Sequence, residues 1–254
     1  AVYPDFEKMC QDFEELRKGK NTLAEAKEIL QDVSYFGTML VYEGKANGMV
    51  SGATHSTANT VRPALQIIKT KKGMCRVSGA MIMERGDEKY IFADCAINID
   101  PDSETLAEIA YQSSKTAEMI GLDPKIAMLS FSTKGSAKGA MVTKVQDATN
   151  LVHQKYPDLV CDGELQFDAA IVPRVGEAKA PGSAVAGHAN VFIFPELQSG
   201  NISYKVAERL GGFSAIGPVL QGLAAPINDL SRGCKTEDVY LLAILTAAQA
   251  NMEK

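Results

Sequence analysis

Four stretches of this sequence bring glycine, hydroxyl side chains and charge together: Ser51-Gly52-Ala53-Thr54-His55-Ser56-Thr57 with Arg62, residues 130–139 (SFSTKGSAKG), residues 194–201, and Asn228-Asp229-Leu230-Ser231-Arg232-Gly233 with Asp238. Glycine lets backbone approach a ligand, hydroxyls hydrogen-bond to it, and arginine matches the two oxygens of a phosphate or carboxylate. The four stretches fall at predicted strand ends, where open α/β sheets bind ligands. Two phosphate-binding signatures are absent. The stretch 132–139 contains no G-x-x-x-x-G-K-[ST], and no G-x-G-x-x-G follows a strand, so neither a P-loop nor a dinucleotide-binding Rossmann site is supported.

Metal chemistry is poorly supplied. The cysteines Cys10, Cys75, Cys95, Cys161 and Cys234 form no C-x-x-C, and His55, His153 and His188 form no H-x-x-x-H. A disulfide framework, a structural zinc and a zinc enzyme are therefore disfavoured, and a reducing cytoplasm fits best. The net charge of -5 argues against a nucleic-acid or membrane-surface binder, though a local basic cluster suffices for a small anion. The most apolar run, 240–250, is too short to span a bilayer, and no secretory signal opens the chain.

The elements that must position these residues follow from periodicity. Phe6, Met9, Cys10, Phe13 and Leu16 recur at helical spacing, with Arg17, Lys18 and Lys20 at the C-terminal end and Gly19 as the stop. Thr22-Leu23-Ala24-Glu25 reads as a capping box opening a helix to about residue 30. Ser34 caps a third helix over 35–42, and a short strand at 48–51 feeds the turn 52–57. Pro63 suits the first turn of the helix after it. Strands at 77–83 and 89–94 flank the hairpin turn Arg85-Gly86-Asp87. Beyond it helices at 103–120, 142–156, 167–172, 202–210 and 236–251 alternate with strands at 125–131, 159–161, 190–194 and 216–220. Such alternation means α/β architecture with a mostly parallel sheet covered on both faces, and ligands bind such sheets at the strand ends. The stretches 71–73 and 224–226 read as linkers.

In order along the chain, ELRKGK (15–20), YFGTMLVYEGKANGMVSGATHSTANTVRPALQIIKT (35–70), AMLSFSTKGSAKG (127–139), DGELQFDAAIVP (162–173), KAPGSAVAGHANVFIFPELQSGNISYK (179–205) and QGLAAPINDLSRGC (221–234) resemble the phosphate acetyltransferase (phosphotransacetylase) family. The resemblance implies two α/β/α domains of the isocitrate/isopropylmalate dehydrogenase-like kind, with mostly parallel sheets and the active site in the interdomain cleft. The first domain is expected over 1–72 and 226–254 and the second over 73–225. Family members carry further N-terminal sequence, roughly 70 residues or two βα units. One site arginine of the family falls in that part and matches no position here.

The resemblance also implies the reaction: acetyl-CoA and orthophosphate give CoA and acetyl phosphate, reversibly, in a ternary complex with no metal and no cofactor beyond CoA as substrate. Phosphate butyryltransferase and a non-catalytic acyl-CoA-sensing module are the alternatives. By resemblance Asp238 is the base that takes the CoA thiol proton, Ser231 donates to the carbonyl oxygen as it gains charge, and Arg232 supplies positive charge. Read without the family, each has an ordinary use: Asp238 as a first-turn helix carboxylate, Ser231 as a turn serine, Arg232 as a solvated surface residue. Arg62 and Arg17 match two further site arginines. Arg62 is expected at a helix start beside Ser56 and Thr57, grouped around phosphate, whereas a C-terminal helix position already accounts for Arg17. Lys134 and Asn201 are second candidates for phosphate or CoA contacts, and His55 reads as a turn histidine satisfied by its neighbours. A cytoplasmic homodimer in acetate metabolism completes the expectation.

Overall fold

A computed structural model describes residues 3–252. The elements begin with α1 (Phe6–Arg17), α2 (Leu23–Ile29), α3 (Val33–Tyr42), β1 (Met49–Gly52) and α4 (Thr57–Pro63), which runs into a π-helical turn (Ala64–Ile68). Next come β2 (Ser78–Arg85), β3 (Glu88–Ala93), α5 (Ser103–Met119), β4 (Ile126–Leu129), α6 (Ala140–Lys155) and β5 (Cys161–Leu165). The remainder is α7 (Phe167–Ile171), α8 (Pro173–Lys179), β6 (Val191–Ile193), α9 (Leu197–Gly211), β7 (Ser214–Gln221), β8 (Ile227–Leu230) and α10 (Thr236–Met252). They divide into two compact units, one reaching Cys75 and resuming at Leu223, the other Arg76–Gly222.

In the first unit, helical spacing puts Met9, Cys10 and Phe13 of α1 on one fully buried face. The helix ends where Lys18 takes a left-handed conformation (φ 50°) ahead of Gly19 (φ 78°), with the Lys18 N–H donating to Glu15 O. Thr22 and Glu25 form the expected reciprocal capping box on α2. The cap of α3 differs from expectation. Asp32 provides it, accepting from the Ser34 and Tyr35 N–H groups, and Ser34 lies inside the helix with its side chain buried. Asp32 takes the cap from Ser34, two residues on, because its carboxylate reaches both orphan donors. Pro63 also differs, closing α4 rather than opening a helix. Proline has no N–H for the α-helical bond, and the chain continues in π-helical form. The two strands of this unit, β1 and β8, pair in parallel, Met49 opposite Ile227 through Gly52 opposite Leu230.

The second unit holds a six-stranded sheet of order β5-β4-β6-β3-β2-β7. Neighbours from β5 to β3 are parallel, and β2 runs antiparallel to both β3 and β7. Most strand pairs among the described residues are thus parallel, as the alternation predicts. Met83, Phe92, Leu165, Phe192 and Phe194 lie in the apolar cluster of this unit. Helix α8 and strand β8 have no counterpart among the elements read from the sequence, and two boundaries differ by several residues. The strand expected at 159–161 lies at Cys161–Leu165, because Glu164, polar in sequence, is buried and accepts from Ser132 Oγ (2.9 Å) and the Gly135 N–H (2.7 Å). Helix α9 starts at Leu197, five residues before expectation, because Glu196 caps it through the Gln198 and Ser199 N–H groups. Gly200 inside it passes so close to Asp94 that a Cβ there would sit 2.3 Å from the Asp94 carbonyl oxygen.

Candidate active site

The parallel register of β1 and β8 sends two loops off the same sheet edge. The Ala53 N–H donates to Leu230 O at 3.0 Å, extending the ladder one step into the first loop. Gly52 makes this possible: at φ 99°, a Cβ there would lie 2.4 Å from Leu230 O and 2.5 Å from Leu230 N. The chain then turns through His55 to Ser56, the residue preceding α4. From β8 the other loop carries Ser231 and Arg232 to α10, whose first turn holds Asp238. Carboxyl ends of parallel strands are where open α/β sheets bind ligands.

Below these loops sits Asp229, fully buried in β8. Its Oδ2 accepts from Thr57 Oγ1 and its Oδ1 from Thr60 Oγ1, both at 2.6 Å. Burial raises its pKa above the ordinary aspartate value, and the two hydroxyls and the charge of nearby His55 oppose that rise. His55 Nδ1 lies 3.1 Å from Ser56 O, and its Nε2 lies 3.2 Å from Ser51 Oγ and 3.3 Å from Ser34 Oγ. A carbonyl only accepts, so Nδ1 carries the proton and Nε2 accepts from a serine hydroxyl in the neutral ring. The histidine is satisfied by its neighbours, as expected of a turn residue.

Ser231 Oγ accepts from the Gly233 N–H at 3.2 Å, which leaves its own hydrogen free to be donated. Asp238 Oδ2 accepts from the Lys235 N–H at 2.7 Å, the helix-start role its position suggests. Its Oδ1 receives no hydrogen bond from a described residue. Arg232 is exposed and forms no ion pair with a described residue, and the same holds for Arg62. Arg62 stands at the C-terminal end of α4, not beside the turn at its start as the sequence suggests. It shares its surroundings with Arg17: burial raises the Tyr35 phenol pKa, and the Arg62 and Arg17 charges both pull it down. Tyr35 itself donates to Gln66 Oε1 at 3.0 Å, and Arg17 Nε donates to Asn21 Oδ1 at 3.2 Å. Ser56 is exposed, with Oγ donating to Asn59 Oδ1 at 3.2 Å.

The first unit therefore gathers Ser56, Thr57, Ser231, Arg232 and Asp238 on loops and helix starts at one sheet edge. The Arg17 and Arg62 charges both act on Tyr35, next in sequence to the Ser34 that reaches His55. The other two candidates belong to the second unit and are held by internal bonds. Lys134 pairs with Asp162 and donates to Gly163 O, while Asn201 donates to Cys95 O at 2.9 Å and accepts from Lys205 Nζ. Sequence reasoning assigned no role to Asp229. Its signal in the sequence is slight, because β8 is a four-residue strand in which Asn228 and Asp229 leave only Ile227 and Leu230 apolar. Among the described residues no group of three or more His, Cys, Asp or Glu could hold a metal ion.

A family model described as phosphate acetyl/butaryl transferase matches residues 1–247. Phosphate acetyltransferase of Bacillus subtilis is 62% identical over 249 residues, 98% of this chain and 77% of that protein. The crystal structure of a phosphotransacetylase from Streptococcus pyogenes superposes with a TM-score of 0.95 at 62% identity, covering 99% of this chain and 77% of that one. The EutD phosphotransacetylase from Staphylococcus aureus gives 0.91 at 61% identity, over 98% and 77%. Loops at the sheet edge that carry SGATHST and NDLSRG, in a chain this similar to those enzymes, leave one assignment: it belongs to the phosphate acetyl/butaryl transferase family.

Proposed function

We propose that this chain catalyses reversible transfer of an acetyl group between CoA and orthophosphate, in a ternary complex. The observation that carries the reading is the β1–β8 pairing in a member of this family, which sets the 51–57 loop beside Ser231 and Arg232. A phosphate oxygen attacks the thioester carbonyl carbon, the carbonyl oxygen gains charge, and the C–S bond breaks to release thiolate. Ser231 retains a hydrogen for that oxygen, and Arg232 adds positive charge. In this direction the proton given up by the attacking phosphate passes through Asp238 to the thiolate, and in the other Asp238 takes the thiol proton and the phosphate regains it, Oδ1 being the oxygen without a hydrogen bond from a described residue. Arg62, Arg17, Ser56 and Thr57 contribute to binding the anions. Lys134 and Asn201 are second-rank contacts, since each must exchange an internal bond for a substrate. The reaction balances without metal or cofactor, with CoA and acetyl phosphate as substrates.

Activity with butyryl-CoA is the second reading, because the matched family spans both acyl groups. CoA release from acetyl-CoA and from butyryl-CoA, with and without phosphate, tests both. Phosphate-dependent release with a preference for acetyl-CoA is expected. No phosphate-dependent release from either would overturn the proposal. No helix among the described residues is long and apolar enough to cross a membrane. A cytoplasmic setting in acetate metabolism is proposed with the function, as is a homodimer. Exposed apolar residues at helical spacing support the dimer: Ile202, Val206 and Leu210 on α9, and Tyr240 and Ile244 on α10. Light scattering should give twice the chain mass at micromolar concentration, and a monomer would contradict it.

A further inference from the structure

The Asp229 carboxylate settles what the Thr57 hydroxyl can offer a ligand. A threonine hydroxyl has one hydrogen to donate and two lone pairs to accept with. That hydrogen points at Asp229 Oδ2, 2.6 Å away, and the other carboxylate oxygen is occupied by Thr60 Oγ1 at the same distance. Asp229 is fully buried, and Thr57 is only half-buried. The part of the Thr57 hydroxyl that remains for a ligand is therefore lone pair.

From this we infer that Thr57, held by Asp229, is a specificity-determining acceptor that takes a hydrogen bond from the P–OH of bound orthophosphate. Asp229 acts through Thr57 and is a positioning residue. The inference rests on the proposed phosphate subsite. Sulfate is the natural contrast: it has nearly the size of phosphate and, above neutral pH, the same dianionic charge, but it has no hydrogen. A sulfate oxygen opposite Thr57 meets a lone pair with a lone pair, and loses the hydrogen bond phosphate makes. A hydrogen bond involving a charged group is worth about a factor of ten or more in affinity.

The test is calorimetric binding of inorganic phosphate and of sulfate at matched ionic strength, with CoA release measured alongside. Wild type should bind phosphate at least about ten-fold more tightly than sulfate. Thr57→Val, which keeps the shape and removes the hydroxyl, should weaken phosphate and leave sulfate nearly unchanged, bringing the ratio towards one. Thr57→Ser should restore the ratio, which a loss of packing alone would not do. Asp229→Asn should lower the ratio through a gain in sulfate binding, because an amide N–H in place of Oδ2 turns the Thr57 hydrogen outward. Should that variant not fold, the Thr57 pair decides. Phosphate-dependent CoA release with a wild-type ratio near one, or a full ratio kept in Thr57→Val, overturns this assignment and leaves the proposed function standing. Absence of CoA release together with absence of phosphate binding overturns both.

Discussion

Asp238 does two things with one carboxylate. Oδ2 secures the start of α10 on the Lys235 N–H, and Oδ1 stays open for a proton. With Oδ2 engaged, Oδ1 is the oxygen proposed to take the thiol proton. Asp238→Asn should leave acyl-CoA binding nearly intact and lower turnover by about 10²–10⁴, the usual worth of general-base catalysis. Its residual rate should rise with pH as the CoA thiol ionises unaided, near the ordinary thiol value of about 8.5. Ser231→Ala removes a donor to the carbonyl oxygen, and its deficit should be equal at every pH. Steady-state pH profiles of the two variants check this, and parallel profiles would remove Asp238 from the base role.

Among the elements, the β1–β8 pair carries the site, and its weakest tolerance is at Gly52. The strand end needs both a positive φ and the absence of a Cβ, since Leu230 backbone lies against it. Gly52→Ala should cost roughly 2–5 kcal/mol, combining backbone strain with overpacking. Gly19 is the control. It also has a positive φ, 78°, but a Cβ there meets nothing within 4 Å, so Gly19→Ala should cost only about 1–2 kcal/mol. Denaturant melts of both variants measure the contrast, and equal losses would mean that the crowding against Leu230 is relieved by a small shift.

At the scale of the whole molecule, buried carboxylates give stability a pH dependence of predictable sign. Burial works to raise the Glu164 pKa, but hydrogen bonds from Gly135, its own N–H, Ser132 and Gln146 outweigh it and hold the group below the ordinary 4.5. Asp162 is likewise lowered: burial is outweighed by Lys134, Ser183 and the Gly163 N–H. A lowered folded-state pKa means stability that is present above the unfolded value and lost as pH falls through the folded one. Asp229 has the opposite sign, raised by burial, and so favours folding as acid is added. Glu164 and Asp162 belong to the second unit, Asp229 to the first. Glu164→Gln should flatten the fall in stability below about pH 4.5 while lowering stability at neutral pH. Urea melts across that range check it; an unchanged slope would show that Glu164 does not carry the acid sensitivity.

Periodicity and local chemistry were enough for most elements, because a helix face such as Met9-Cys10-Phe13 or a capping box such as Thr22–Glu25 is specified by residues close in the chain. The segments SGATHST and NDLSRG were legible as ligand-binding stretches and carried the family resemblance. What they lacked was each other. Residues 57 and 229 lie far apart in sequence, and only the parallel register of β1 on β8 closes the Thr57–Asp229 hydrogen bond at 2.6 Å. The same holds for Arg17 and Arg62, whose charges both act on Tyr35, and for Glu164, whose polarity in sequence hid a strand until Ser132 and Gly135 supplied its hydrogen bonds. Local sequence determines what a segment can form, through steric and hydrogen-bonding preferences acting over a few residues. Which donor meets which acceptor, and therefore whether a threonine gives or takes a hydrogen, is decided by tertiary contact, because a buried carboxylate must find its partners wherever the fold brings them.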